Sequence, residues 1–214
     1  MKVGVIDYGV GNLGSVIRAL EHVNSEPSLI TQPADLDLYD CLILPGVGSF
    51  TDCARLLGEG GWIDPIKSAV LESRRPLLGI CVGMQLLADF GMEGAIVDGL
   101  DGTPGFGFIA GKVEHISSLG CNMRLPHVGW NEIYVAEPRD SLFTDIPDKT
   151  DFYFTHSYSF TASNPADVTA TTGYGVPVTA AVRHGNVWGT QFHPEKSSRA
   201  GFKLLMNFLA SSSC

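Results

Sequence analysis

Positive charge is scarce in this chain. Lysine and arginine number 14 against 23 aspartates and glutamates, for a net charge of −9 and a pI near 5. Nucleic acids and anionic membrane surfaces both call for a basic footprint, so neither is expected as a partner. No run of like charge forms a tail. Long hydrophobic runs are also missing, so nothing reaches the roughly 20 apolar residues that span a bilayer. The chain opens directly on the strand-like Met1-Lys2-Val3-Gly4-Val5-Ile6-Asp7, without the architecture of a signal peptide, and the cytoplasm is the expected location. Cysteine is sparse and unpaired in pattern: Cys41, Cys53, Cys81, Cys121 and Cys214 are odd in number, scattered, and form no C-x-x-C pair. A disulfide framework and a zinc site are therefore not expected, and no metal or cofactor is called for. Cys41 reads as packing and Cys214, the last residue, as inert.

What remains is an ordinary globular composition, 44% hydrophobic and 17% charged over 214 residues, read as a single domain over 1–214. Residues 3–7 read as a buried strand, followed by a glycine-rich turn and by Leu13, Val16, Ile17 and Leu20 at helical spacing. That turn, G-V-G-N-L-G, is a poor dinucleotide fingerprint, because no acid ends a second strand where a ribose would need it. Short strands are predicted at 29–31 and 40–44, the latter running into Pro45-Gly46-Val47-Gly48-Ser49-Phe50. An amphipathic helix is predicted over 62–71. Alternating β and α segments imply a parallel sheet with right-handed crossovers. After Phe90 the texture changes. A glycine-rich stretch over 91–111 gives way to strand-like runs at 113–116, 131–135, 152–154, 168–171, 178–182 and 187–192. They predict an additional antiparallel strand layer in the C-terminal half of an α/β fold whose mostly parallel central sheet is flanked by helices. Ser197-Ser198 reads as the cap of a closing helix with Phe202, Leu205, Phe208 and Leu209 on one face.

Everything chemical gathers around Pro76-Leu77-Leu78-Gly79-Ile80-Cys81-Val82-Gly83-Met84-Gln85. An apolar strand, a cysteine between two glycines and a run of helix formers make the cysteine analogue of a nucleophile elbow. A buried core cysteine is the competing reading. A thiol needs a base, and the base needs an orienting group. Of six histidines, His22 and His115 read as surface or packing, whereas Gln191-Phe192-His193-Pro194-Glu195 places an imidazole and a carboxylate two residues apart. In extended geometry i and i+2 share a side, which would let Glu195 fix the His193 tautomer while His193 takes the Cys81 proton. Alone, H-P-E could equally be a solvated turn.

G-I-C-V-G-M-Q-L-L and Q-F-H-P-E-K-S resemble the nucleophile and His/Glu signatures of class I (triad-type) glutamine amidotransferases. With V-G-V-I-D-Y-G-V-G-N-L, L-P-G-V-G-S-F, L-P-H-V-G-W-N and Y-F-T-H-S-Y, the match extends over nearly the whole chain. It is similar to the glutaminase subunits of imidazole glycerol phosphate synthase. Met84 speaks against other branches, such as those of anthranilate or pyridoxal phosphate synthesis. The stretch 98–107 and the Ser-Ser-Ser-Cys tail look idiosyncratic. The resemblance implies a Cys81–His193–Glu195 triad acting on glutamine, with oxyanion donors at Val82 and Val47. It also implies substrate contacts from Gly46, Gln85, His156, Ser157 and Tyr158. The partner it implies is a cyclase subunit, paired as a heterodimer through Asn12, Arg18, Trp130, Tyr153 and Lys196. Because Gly46 and Gly48 flank Val47, that peptide is free to flip, and the hole is expected to be completed when the partner docks.

Overall fold

The computed structural model describes residues 1–94 and 102–211. The first part builds β1 (Lys2–Ile6), α1 (Leu13–His22), β2 (Glu26–Ile30), β3 (Cys41–Gly46), α2 (Phe50–Glu59), α3 (Ile63–Lys67), β4 (Leu77–Cys81) and α4 (Val82–Gln85). Then follow β5 (Phe90–Gly91), β6 (Thr103–Pro104), β7 (Gly111–His115), β8 (His127–Val135), β9 (Asp151–His156) and β10 (Tyr158–Ala162). The chain ends with β11 (Val168–Gly173), β12 (Pro177–His184), β13 (Val187–Thr190) and α5 (Ser198–Ser211).

Nine strands make one sheet in the order β2-β1-β3-β4-β13-β12-β11-β8-β9. The first five are parallel, and every later neighbour is antiparallel. The central parallel strands β3 and β4 are buried along their whole length, as strands covered on both faces are, whereas the edge strand β2 is largely exposed. Leu42, Ile43, Leu44, Leu77 and Leu78 are fully buried, each contributing about 1.5–3 kcal/mol by leaving water. The antiparallel strands continue the same sheet, and a separate four-stranded sheet, β10-β7-β5-β6, stands beside it. The expected extra layer is thus divided between an extension of the main sheet and a second small one.

Several expected boundaries move. Helix α2 has no counterpart in the sequence reading, although Ser49 caps it, its hydroxyl accepting the Asp52 N–H at 3.1 Å. The predicted 62–71 helix is α3 followed by a single π-helical stretch over Ser68–Glu72, which turns Leu71 out to solvent. β10 was not anticipated. β13 stops at Thr190, two residues short of its predicted end. The Ser197 hydroxyl does not serve as a helix cap. It donates to the His193 carbonyl at 2.6 Å and accepts the Tyr153 N–H at 3.1 Å. Cys214, expected to be inert, and those parts of the 98–107 stretch and the serine tail at 98–101 and 212–214, lie outside the described residues.

Candidate active site

The C-terminal ends of β3, β4 and β13 meet at Cys81. Cys81 ends β4 in register with Gly46 of β3, and it carries φ +57° and ψ −113°, a conformation non-glycine residues rarely adopt. Close packing enforces this turn. A Cβ on Gly83 would sit 1.8 Å from the Leu44 carbonyl oxygen, and one on Gly79 would sit 2.5 Å from the Gly83 oxygen. The G-x-C-x-G spacing is therefore the only side-chain economy that lets α4 start directly against β3.

His193 lies beyond β13, held through its main chain: its N–H donates to the Tyr153 carbonyl at 2.9 Å. Its Nδ1 bonds Glu195 Oε1 at 2.8 Å, and the two side chains are 3% and 1% exposed. The pair does not use the extended geometry expected of it. Pro194 opens a 3-10 turn over Pro194–Lys196, and that turn folds the carboxylate back under the ring. With Nδ1–H committed to Glu195, Nε2 is left without a hydrogen-bond partner in a buried position facing the same cavity as Cys81. Burial lowers the affinity of this ring for a proton. The neighbouring Cys81 sulfur, together with the hydrogen bond and charge of Glu195, outweighs that, and His193 is raised to about 9.

The cavity above the sulfur has a volume of about 320 Å³. Val47, Gly48, Val82, Thr155, His156, Ser157 and Tyr158 are on its wall. Gly46 is not on the wall. It is buried, and a Cβ there would meet the Gly83 nitrogen at 2.6 Å. Gln85 reaches the cavity with its amide already engaged, donating to Gln191 Oε1 at 2.9 Å and to the Tyr158 carbonyl at 3.3 Å. Gln191 in turn directs its amide at the Cys81 sulfur, 3.7 Å away.

The 155–158 strip is fixed from behind. Because the Tyr158 carbonyl can only accept, His156 carries its proton on Nδ1 (2.8 Å) and accepts at Nε2 from His127 Nδ1 (3.0 Å). His127 Nε2 then accepts a hydrogen bond from the Asn131 amide at 3.2 Å, whose nitrogen also donates to the Gly173 carbonyl at 2.9 Å. Burial lowers His156 to about 3 and His127 to about 4, so both rings stay neutral and this order of donors persists.

Sequence reasoning missed Gln191 and Glu93. Glu93 puts the only acid among the described residues on the cavity wall while its Oε2 accepts the Phe50 N–H at 2.7 Å. Gln191 was legible as part of Q-F-H-P-E, but Glu93 sits in a glycine-rich stretch with no pattern to mark it. Of the expected interface residues, Trp130, Tyr153 and Lys196 come together. Trp130 packs edge-on to Tyr153 at 6.1 Å, and Lys196 Nζ lies 5.8 Å over the Tyr153 ring. Asn12 and Arg18 sit at the start and on the exposed face of α1, where Arg18 bonds Ser15.

A family model for class-I glutamine amidotransferases matches residues 4–211. This chain belongs to the class-I glutamine amidotransferases. Two relatives are similar along their full lengths. An imidazole glycerol phosphate synthase subunit HisH 1 of Prochlorococcus marinus is 44% identical, the match covering 98% of this chain and 97% of that one. A HisH subunit of Brucella abortus is 41% identical, with 98% of both chains covered. Among solved structures, a glutamine amidotransferase superposes with a TM-score of 0.76 at 23% identity, covering 99% of each chain. PurLQS from Thermotoga maritima gives 0.73 at 21% identity over 98% of each chain. At such identities those structures speak for the amidotransferase fold alone.

Proposed function

We propose that this amidotransferase is the glutamine-hydrolysing subunit of an imidazole glycerol phosphate synthase, in histidine biosynthesis, and that Cys81, His193 and Glu195 do the chemistry. The observation that carries the reading is the buried Glu195–His193 pair whose free Nε2 opens on the cavity of a strained Cys81, in a chain 44% identical to such a subunit throughout.

The Cys81 thiolate attacks the side-chain amide carbon of glutamine, and the carbonyl electrons move onto oxygen. Val47 and Val82 line the cavity, and their N–H groups are the donors assigned to that oxyanion, each being worth roughly 10²–10³ in rate. His193, charged beside the thiolate, gives its proton to the leaving nitrogen, and ammonia departs from a γ-glutamyl thioester. Water, losing a proton to the now neutral ring, attacks the thioester. Collapse releases glutamate and restores the sulfur. The α-ammonium of the substrate meets Glu93, an acid on the wall, and Ser157 and Tyr158 hold the same amino-acid end.

Ammonia released to water becomes ammonium and loses its nucleophilicity, so a synthase must hand it on directly. The recipient is a cyclase subunit, docked over the Trp130–Tyr153–Lys196 cluster and flanked by Asn12 and Arg18. There the nitrogen enters imidazole glycerol phosphate, with aminoimidazole carboxamide ribonucleotide as the second product. Mixing this chain with the cyclase and its phosphoribulosyl substrate tests the assignment. Cys81→Ala should abolish synthesis from glutamine and leave synthesis from ammonium intact. A Cys81→Ala complex that still uses glutamine would overturn it.

A further inference from the structure

Next to Cys81 lies a pair of buried amides to which the mechanism above gives no part. Gln191 follows β13, and its backbone N–H is pinned to the Ala180 carbonyl of β12 at 2.8 Å. Its side chain is fully buried and bridges two others: Oε1 accepts from Gln85 Nε2 at 2.9 Å, and Nε2 lies 3.7 Å from the Cys81 sulfur. A backbone carbonyl decides which end of the Gln191 amide faces that sulfur. The Tyr158 oxygen can only accept, so the group that Gln85 turns toward it at 3.3 Å is its NH2. The same nitrogen faces Gln191 and can only donate, so Gln191 meets it with oxygen. The other end of the Gln191 amide is then NH2, and that end points at Cys81.

Sulfur has most use for such a donor when it is charged. A thiol is a weak acceptor, whereas a buried thiolate has lost its hydration and depends on donors in the protein. Cys81 is 5% exposed. The Thr155 carbonyl, 3.9 Å from its sulfur, can accept from the thiol and offers nothing to the thiolate. His193 supplies charge, and Gln191 supplies a neutral N–H that does not titrate. Cys53 and Tyr8 lie close enough to Cys81 to be felt electrically, but burial raises both, so they stay protonated through neutral pH.

We propose that Gln191 is a further catalytic residue, its side-chain N–H holding the Cys81 thiolate while Gln85 positions the amide. This rests on the glutaminase reading. The bond acts twice in a turnover. Before attack it raises the share of the sulfur that is charged, the thiol proton having gone to His193. After water has added to the thioester, the C–S bond breaks, its electron pair returns to sulfur, and the Gln191 N–H meets that charge again.

The test uses the complex with the cyclase, measuring kcat and KM for glutamine, and in parallel the rate at which iodoacetamide alkylates Cys81 from neutral to alkaline pH, located by peptide mass. Alkylation needs the thiolate but none of the contacts to the amino-acid end of glutamine. In Gln191→Leu, alkylation at neutral pH should slow by about 10-fold, the order that a hydrogen bond to a charged group carries, and kcat should fall with it. The alkylation deficit should close as pH rises, because alkali charges the sulfur without help. Alkylation at the wild-type rate would overturn the proposal, above all with a raised KM, since anchoring Gln85 would then be the residue's whole use. So would a kcat within twofold of the wild type, or a deficit that persists in alkali, the mark of a displaced sulfur. If Gln191→Leu melts too low to assay, Gln85→Leu frees the Gln191 amide to turn. Alkylation at neutral pH should then slow by threefold or more, and an unchanged rate would overturn the assignment. A wild-type complex that releases no ammonia from glutamine would instead remove the glutaminase reading, while the alkylation comparison still reports on the donor.

Discussion

At Cys81 the backbone holds a strained conformation so that one atom can be presented above the sheet, and that strain has a measurable size. Residues in such sparsely populated regions cost about 1–3 kcal/mol each, while glycine tolerates them at an entropic cost of about 0.5–1 kcal/mol. Cys81→Gly should therefore unfold at higher urea than Cys81→Ala, by about 1 kcal/mol, with both inactive on glutamine. Equal stabilities would mean the surrounding packing does not enforce the turn. Three rings set a second expectation. His127 and His156 are held below the ordinary histidine range, at about 4 and about 3, so below pH 6.5 the unfolded chain binds protons that the folded one refuses. Stability then falls as pH drops, by up to about 1.4 kcal/mol per pH unit for each ring. His193 has the opposite sign. Raised to about 9, it stabilises fully below 6.5 and loses that contribution as pH climbs toward 9. Urea midpoints from pH 4 to 9 should peak near 6.5 on account of these groups. His127→Asn keeps an N–H toward His156 but cannot protonate, and it should flatten the acidic limb. In Cys81→Ala an NMR titration should find the His193 pKa lowered, because the sulfur is one of the influences raising it.

At the level of elements, the elbow depends on two strands and a helix start approaching more closely than any side chain allows. A Cβ on Gly83 would lie 1.8 Å from backbone, whereas one on Gly189 of β13 would lie 2.6 Å from the flexible Met84 side chain. Gly83→Ala should thus cost at least about 3 kcal/mol and disturb Cys81, and Gly189→Ala should cost about half as much. Thermal unfolding of the two variants gives the ranking, and reversal would relocate the constraint. The same elements show what a sequence discloses. The parallel strands were readable because double-sided burial leaves near-continuous apolar runs, as at 41–44 and 77–80. The convergence of Cys81, His193 and Glu195 was readable because the proposed chemistry needs a thiol, an imidazole and a carboxylate together. The 3-10 turn at His193 was not, because Pro194 is compatible with an extended chain and a helical turn alike. Helix α2 was overlooked although Ser49 and Asp52 form a cap of the S-x-x-D kind. The His156–His127–Asn131 ladder joins residues of two strands, and only the β8–β9 register, with His127 opposite His156, puts the rings in contact.

On the scale of the whole molecule, the proposed docking face adjoins the candidate active site. Tyr153 links the two: its ring packs with Trp130 and Lys196, and its carbonyl receives the His193 N–H at 2.9 Å. Trp130 is 54% exposed, and its neighbour on the same strand, Val128, is 55% exposed, so their apolar surface lies open to a partner and contributes little to the isolated fold. Large aromatics of this kind supply the energetic centre of interfaces. Trp130→Ala should weaken cyclase binding by about 2 kcal/mol, roughly 30-fold, without moving the melting temperature. Tyr153→Ala removes the ring that the other two pack on, next to the peptide that holds His193. It should lower both affinity and the turnover of the saturated complex, while Trp130→Ala regains full turnover once the partner is in excess. Titrating each variant with cyclase and following ammonia-dependent and glutamine-dependent synthesis separately distinguishes the two. If Trp130→Ala binds as tightly as the native chain, the docking face lies elsewhere on the molecule.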